Sequence, residues 1–309
     1  MFLSSEEARS DVILTGAATV FGGILLSVLL SAPGVPRSGI GAEIILLLGW
    51  FALSGLTPLL LARYRDDVPG GFGIAAGHGF DVAAAAALAA PVVVLGVVRG
   101  LLVDGTLAAA VLGRPGRALF GSPVVGPTDS DVSGAIFALL GIAVLTVGAL
   151  LLVGFLFVRG RDAFRADERS STELLRTFGA GAVAAALVLG GLRALTGGGG
   201  FTTLVLNVVT LATLVLVADR LVPAGATVAR SAVLTPVVLL LVAHVLAAGG
   251  IFRGDLLLGL SSGALAGGVA LVIAVVAEHR GTTTVAIPLL FAVHWWPTCL
   301  SPLPFGGAC

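Results

Sequence analysis

The chain has 309 residues, of which 57% are hydrophobic and 11% are charged, and its mean hydropathy is +1.10. These values lie far outside those of soluble domains, and a formal net charge of zero gives no reason to expect nucleic acid as a partner. All 17 basic residues are arginine, which excludes a lysine Schiff base and a P-loop lysine. The composition predicts a multi-pass protein of the cell membrane, with the lipid bilayer as its first partner.

Apolar segments long enough to cross a hydrocarbon core of about 30 Å recur along the whole chain. Lipid offers the backbone no hydrogen-bond partners, and the segments show no alternation of period two, so each is predicted to be a helix. The segments are Val12–Ser31, Ile40–Ala62, Val82–Val103, Val132–Val158, Leu174–Leu195, Phe201–Ala218, Ala232–Ala248, Leu256–Ala277 and Thr283–Trp296. We therefore expect an all-α, polytopic transmembrane helical bundle of about nine spans, forming one integral membrane domain over residues 1–309. Eight spans are the alternative, because the ninth segment is short and contains Pro288.

Two serine-led motifs indicate where helices begin. Ser4-Ser5-Glu6-Glu7 and Ser170-Ser171-Thr172-Glu173 both match a capping box, in which a serine and a later glutamate bond each other's backbone N–H groups. The motifs predict helix starts at the first and fifth segments. No basic run precedes the first segment, so we expect it to be a retained span and not a cleaved signal peptide.

The distribution of arginine orients the predicted spans. The densest basic stretch, Arg159–Arg169, follows the fourth segment, and the positive-inside rule assigns it to the cytoplasm. With nine spans this puts the N-terminus inside and the C-terminus outside. Of the 17 basic residues, eleven then fall on the inner side and six on the outer side.

The connection from Asp104 to Asp131 is the longest in the chain. Its first part, Gly105–Gly113, is apolar but too short to span, and Arg114-Pro115-Gly116-Arg117 then breaks it. We expect a re-entrant or interfacial segment on the outer side, which serves as a cap over the bundle or as a gate.

Glycine spacing on two segments predicts close helix packing. Gly259, Gly263 and Gly267 form a double GxxxG on the eighth segment, and Gly134, Gly141 and Gly148 recur every seven residues on the fourth. Faces without side chains let helix backbones approach one another, and van der Waals contact then holds them. These six glycines are expected to pack helices within the chain, with homodimerisation as the alternative.

The C-terminal residues combine aromatic rings with both cysteines of the chain. Trp295 and Trp296 fall where the last span meets the outer interface, the position of an aromatic belt. Cys299 and Cys309 follow in a proline- and glycine-rich tail. On an oxidising outer side they form either a Cys299–Cys309 disulfide or two free thiols at a frayed end.

The last four segments show a weak internal similarity. Residues 201–248 and 256–296 each contain a span that ends in an acidic residue and an arginine, followed by a helix with an internal proline and then a histidine. The two hairpins would share one orientation and form a parallel repeat. Chance similarity in apolar sequence is the alternative.

Few polar side chains fall within the segments. His244 and His294 lie toward the outer ends of neighbouring helices, where two imidazoles at one depth could ligate a metal or a haem iron. Hydrogen bonding to a neighbouring helix explains them as well. Asn207, with several threonines, gives the sixth segment a polar face, which serves either a hydrophilic path or contacts between helices. No bound cofactor is expected.

Glu278-His279-Arg280-Gly281, followed by Leu290-Phe291-Ala292-Val293-His294, resembles a pattern of the CPBP (CAAX-protease-like) intramembrane peptidases over about 20 residues. The resemblance implies metal-dependent peptide hydrolysis. Glu278 and His294 are 16 residues apart, or about 24 Å along a helix, so they are expected at opposite membrane faces and could not share one zinc.

Three classes of function remain open. The first is a non-catalytic membrane component, either a scaffold or the permease-like subunit of a complex with other membrane subunits. Glycine-lined faces, short loops and the absence of a carboxylate in the middle of a segment favour it. The second is a stand-alone transporter of a small solute. The third is a metal- or haem-dependent membrane enzyme, including a degenerate CPBP-like peptidase.

Overall fold

The computed structural model describes residues 4–31, 45, 47–49, 51–68, 70–74, 81–120, 132–164, 168–197, 200–246, 255–296 and 298–303. Within them, the regular structure is helical apart from one pair of three-residue strands. Seven helices are long and apolar enough to cross a membrane, and two shorter apolar helices accompany them. The prediction of an all-α bundle with helices of membrane length is confirmed, while the number of spans and their orientation stay predictions.

The described helices follow the predicted segments closely. In chain order they are α1 (Ser5–Ser31), α2 (Leu47–Tyr64), α3 (Val82–Arg99), α4 (Leu107–Phe120), α5 (Val132–Ala163), α6 (Ser171–Leu195), α7 (Phe201–Leu221), α8 (Arg230–Leu246), α9 (Leu256–Arg280) and α10 (Ile287–Trp295). Wider π turns lie within α2 at Phe51–Leu56, after α3 at Gly100–Asp104 and within α6 at Leu175–Gly179. Short 3-10 turns lie at Gly70–Phe72 and Thr283–Ala286.

Polar caps start the helices where the sequence indicates. The Ser4 N–H donates to Glu7 at 3.0 Å and the Glu7 N–H donates to the Ser4 hydroxyl at 3.3 Å, so the first capping box is confirmed. The Glu173 N–H likewise donates to the Ser170 hydroxyl at 3.4 Å. Asp81 and Asp255 cap α3 and α9, each accepting a backbone N–H at 2.9 Å.

Helix α9 is the centre of the bundle. Almost every residue from Gly259 to Ala277 is buried, and the helix packs against α6, α7 and α8. A Cβ atom at Gly263 would lie 2.8 Å from the Leu241 side chain and 3.1 Å from the Leu241 carbonyl oxygen. At Gly268 it would lie 2.7 Å from the Leu211 side chain. The absence of side chains on α9 therefore allows α7 and α8 to approach it closely.

Helix α5 organises the other half of the bundle, where it packs against α1, α4, α8 and α10. Gly148 faces the π turn of α2, and a Cβ atom there would lie 2.8 Å from the Ser54 hydroxyl. Gly160 faces α8 and would place its Cβ 2.6 Å from the Thr235 hydroxyl. Gly141 has more room, since its Cβ would meet Leu47 at an ordinary 3.4 Å.

Charged side chains join helix ends at one end of the bundle, which we call the basic end. Arg280 bonds Asp81 at 2.8 Å and Arg176 bonds Asp219 at 3.1 Å. Strands β1 (Glu168–Ser170) and β2 (Thr227–Ala229) pair antiparallel at this end and join two connections between helices. The ends of α2, α5, α7 and α9 thus meet the beginnings of α1, α3, α6 and α8 here.

Asp255 joins two helices at the other end of the bundle, the opposite end. Its carboxylate accepts from Arg193 at 2.7 Å, which links the end of α6 to the start of α9. Burial raises the pKa of Asp255, but hydrogen bonds from Arg193 and the Leu258 N–H outweigh that effect and lower it below its ordinary value. The contribution to stability is therefore present above the unfolded-state pKa and is lost as the pH falls through the folded-state pKa.

Helix α4 packs over the C-terminal end of α10, at the opposite end of the bundle. The Trp296 indole N–H donates to the Ala110 carbonyl at 2.9 Å, and Gly113, at a φ of +56°, lets its backbone pass Trp295. A Cβ at Gly113 would lie 2.4 Å from the Trp295 carbonyl oxygen. Trp296 is buried in the protein and Trp295 is half-buried, and their position at the membrane interface stays a prediction. The indole N–H of Trp296 is thus hydrogen-bonded within the protein, as buried tryptophans usually require.

Gly263→Leu should destabilise the protein, because the added side chain would occupy space that Leu241 already fills. We expect a loss of about 1–3 kcal/mol, measured as a lower midpoint of thermal unfolding in detergent. Gly181→Leu is the matched control, since nothing lies within 4 Å of a Cβ at that position on α6. Equal midpoints for the two variants would contradict close packing at Gly263.

Candidate functional sites at the two ends of the bundle

A buried ion pair lies at the basic end. Asp11, on α1, and Arg159, on α5, face each other with a separation of 3.4 Å between Arg159 Nε and Asp11 Oδ2. Both side chains have 0% exposure. Removing two charges from water is costly unless each meets an opposite charge, so this pair constrains how α1 and α5 pack.

The pair belongs to a larger set, the ion network, made up of Glu7, Asp11, Arg65, Asp67 and Arg159. Arg159 Nη1 donates to Asp67 at 3.0 Å, and Arg65 bonds Glu7 at 3.0 Å and Asp11 at 3.2 Å. Three carboxylates and two guanidinium groups thus connect α1, the turn after α2 and α5. Networks of this kind fix the register of the elements that they join.

Two further features accommodate the Arg159 side chain. Its guanidinium carbon lies 5.1 Å from the centroid of the Phe155 ring, within range of a cation–π contact. Gly71 lies beside it, and a Cβ atom there would come within 3.1 Å of Arg159 Nη2. A residue with a side chain at position 71 would therefore press on the buried guanidinium.

The sequence predicts Arg159 in the loop that follows the fourth segment, and this is wrong, whereas the cytoplasmic side of that region stays a prediction. Helix α5 continues to Ala163, so Arg159 lies inside it and is fully buried. The predicted first segment begins at Val12 and omits Asp11, whereas α1 begins at Ser5. The capping box at Ser4 was the available signal, because a helix that starts there necessarily contains Asp11.

The C-terminal tail folds back into the opposite end of the bundle. Thr298, Leu300, Ser301 and Leu303 are all buried, so the described part of the tail is not a frayed end. The Cys299 N–H donates to the Asn207 side chain at 3.2 Å, and Asn207 donates in turn to the Thr203 carbonyl at 2.8 Å. Asn207, which the sequence places on the polar face of the sixth segment, therefore binds the tail.

His244 and His294 converge on this tail. Ser301 Oγ lies 3.1 Å from His294 Nε2, and the backbone of Ser301 and Leu303 lies close enough to His244 to interact with it. His244 Nδ1 also lies 2.7 Å from the Leu240 carbonyl oxygen one turn earlier. The two predicted hairpins thus bring their histidines to one tail residue, while the duplication itself stays a prediction.

The arrangement around the two histidines favours tail binding over metal ligation. Among the residues that the structure describes, no three His, Cys, Asp or Glu side chains come together in a way that could hold a metal ion. Arg114 lies close enough to His294 to interact with it electrostatically, and a positive neighbour opposes a bound cation. Ligation by His244 and His294 stays a prediction without a third ligand on the described part of the chain.

The remaining predicted site residues lie as follows. Gly263 and Gly267 face α8, Gly148 and Gly141 face α2, Gly259 is buried on α9, and Gly134 lies half-buried near the start of α5. Cys299 is disulfide-bonded, and Cys309, the other cysteine of the sequence, lies outside the described residues. Glu278 contacts Arg161 at the basic end, whereas His294 binds Ser301 at the opposite end. The pair that resembles a peptidase motif is therefore separated by the length of α10.

Comparison of the chain with models of protein families, with curated proteins and with solved structures finds no significant match. The part of the chain that the structure describes forms a helical bundle with seven membrane-length helices, a buried ion network at one end and a folded-back tail at the other.

Asp11→Asn should destabilise the bundle, because it leaves the buried Arg159 without one of its two carboxylates. Loss of one partner of a buried pair costs about 3–5 kcal/mol, which should lower the midpoint of thermal unfolding in detergent by several degrees. Asp66→Asn is the control, because Asp66 is exposed and its φ of +52° suits asparagine equally well. If Asp11→Asn unfolds at the same temperature as Asp66→Asn, the ion pair does not hold α1 and α5 together.

Ser301→Ala should loosen the tail, since it removes the hydroxyl that binds His294. We expect amide hydrogen exchange to become faster across residues 298–303, by about one to two orders of magnitude, because a buried hydrogen-bond partner is lost. Ser10→Ala, at an exposed position of α1, should leave exchange in the tail unchanged. Unaltered exchange in Ser301→Ala would show that apolar burial alone retains the tail.

Proposed function

We propose that the protein is a non-catalytic, multi-spanning membrane component, a scaffold or the permease-like subunit of a larger complex. One observation carries the proposal: the described polar residues that the sequence offers for chemistry bind other parts of the same chain. Asn207 and His294 bind the tail, and His279 Nε2 lies 2.8 Å from the Ser171 hydroxyl. An apolar core around α9 fills the space between the two ends.

We further propose nine membrane crossings, with the basic end in the cytoplasm. The alternation of helix ends between the two ends of the bundle supports this number, with α8 and α10 as the short crossings. The concentration of arginine at the basic end supports the orientation. The tail then lies on the outer side, where a disulfide at Cys299 is chemically stable.

Single cysteines at the two ends test this topology. In a background with Cys299→Ser and Cys309→Ser, Thr196→Cys lies at the opposite end and Ala224→Cys at the basic end, both at exposed positions. A membrane-impermeant thiol reagent added to intact cells should label Thr196→Cys only, and both variants after lysis. Labelling of Ala224→Cys in intact cells would show that the basic end faces the outside and would contradict the proposed orientation.

The scaffold proposal is tested by gentle extraction from native membranes, followed by native mass measurement and identification of the proteins that co-purify. A stoichiometric partner protein is the expected result. A chain that runs alone or as a homodimer under several mild detergents would contradict the subunit role.

A second candidate, a stand-alone transporter of a small solute, is favoured by the interrupted helices. Wider or tighter turns break the α-helical path in α2, in α6 and before α10, and such turns often mark positions that move. If the chain purifies alone, solute uptake into proteoliposomes is the measurement that decides for this candidate.

A further inference from the structure

A cavity of about 240 Å³ opens at the basic end, and neither the ion network nor the tail accounts for it. It lies between the ends of α5 and α9, beside the Gly70–Phe72 turn and the residues that follow α9. Its apolar lining residues include Ile74, Phe157 and Val158. Since one water molecule occupies about 30 Å³ of liquid, the cavity has room for a small organic group.

Opposite charges stand at the cavity wall. Arg161, from α5, and Glu278, from α9, both line it, with Arg161 Nη1 3.8 Å from Glu278 Oε2. Arg161 Nε lies 3.8 Å from Asp162. Both separations exceed hydrogen-bonding distance, so the guanidinium and the Glu278 carboxylate have capacity left for a ligand. The Glu278 side chain is 24% exposed and the Arg161 side chain is 46% exposed, so water screens the carboxylate less than the guanidinium.

Buried hydrogen bonds join the two chain segments that flank this cavity. The Thr283 hydroxyl donates to the Phe72 carbonyl at 2.7 Å, and the Thr283 N–H donates to the Gly73 carbonyl at 3.0 Å. Gly154 lets the Phe72 backbone lie directly on α5, because a Cβ there would come within 2.5 Å of the Phe72 oxygen. The cavity is therefore preformed, as ligand sites usually are.

We propose that this cavity binds a zwitterionic group, with an ammonium at Glu278, an anionic oxygen at Arg161 and an apolar part over Phe157. Because Arg161 and Glu278 already balance each other, a ligand that carries both charges keeps the site neutral, whereas a purely anionic or purely cationic ligand would add a net charge. Two sources carry this chemistry: the ethanolamine head group of a phospholipid and a free α-amino acid. The inference goes beyond a scaffold role and holds for a subunit and for a transporter alike.

The test uses the full-length protein, stripped of bound lipid. Native mass spectrometry with added phosphatidylethanolamine or phosphatidylglycerol tests the head group, and calorimetric titration with leucine tests the free amino acid. We expect binding of phosphatidylethanolamine, of leucine or of both, and weaker binding of phosphatidylglycerol, whose head group has no ammonium. Lipid binding alone identifies a head-group site, and leucine binding identifies a solute site.

Four variants locate the site. Arg161→Gln and Glu278→Gln should each weaken binding about tenfold or more, because each removes a charge-assisted hydrogen bond. Ile74→Trp fills the cavity without changing its charge and should also abolish binding. Arg176→Gln is the matched control, since Arg176 belongs to an ion pair at the same end but does not line the cavity. Thermal midpoints of all variants establish that they are folded.

Three results would overturn the proposal. One is the absence of binding by both probes. Another is equal binding of phosphatidylglycerol and phosphatidylethanolamine that Glu278→Gln leaves unchanged. The third is a loss in Arg176→Gln as large as that in Arg161→Gln. None of these measurements depends on whether a partner subunit co-purifies, so failure here and failure of the scaffold role are distinguishable.

Discussion

The close approach of helices to α9 is the contact on which the rest of the bundle depends. In lipid, apolar side chains gain little by leaving one apolar environment for another, so helices are held by dense contact and by polar bonds. Gly263 and Gly268 provide that density, since neighbouring side chains and backbone occupy the space where their Cβ atoms would lie. With α9 enclosed by α6, α7 and α8, the helices that carry polar groups acquire fixed positions at both ends.

Polar contacts hold both ends of the bundle, but the kinds of contact differ. At the basic end, charges meet charges: the ion network connects α1, α2 and α5, and Arg280 connects α9 to α3. At the opposite end, the ion pair of Arg193 with Asp255 joins α6 to α9, and neutral groups hold the tail, as between Asn207 and Cys299 or His294 and Ser301. Because the Asp11–Arg159 pair is fully buried, salt screens it far less than the exposed ion pairs.

Local sequence signals predicted well what depends on neighbours in the chain. The capping box at Ser4 identified the start of α1, and apolar length identified the helices of membrane type. The same reasoning failed for Arg159, because a charge next to an apolar run reads as a loop unless its partner is known. That partner, Asp11, lies on the first helix, far earlier in the chain, and no local pattern connects the two.

The sequence by itself determined that this chain is an apolar helical protein with glycine-lined faces, because hydropathy, helix length and caps are properties of contiguous residues. Only the tertiary structure decided that Asp11 and Arg159 are buried together and that the tail folds back onto His294. It also set Arg161 against Glu278 beside a preformed cavity. Each of these contacts joins residues on different elements, so its geometry follows from helix packing and not from spacing along the chain.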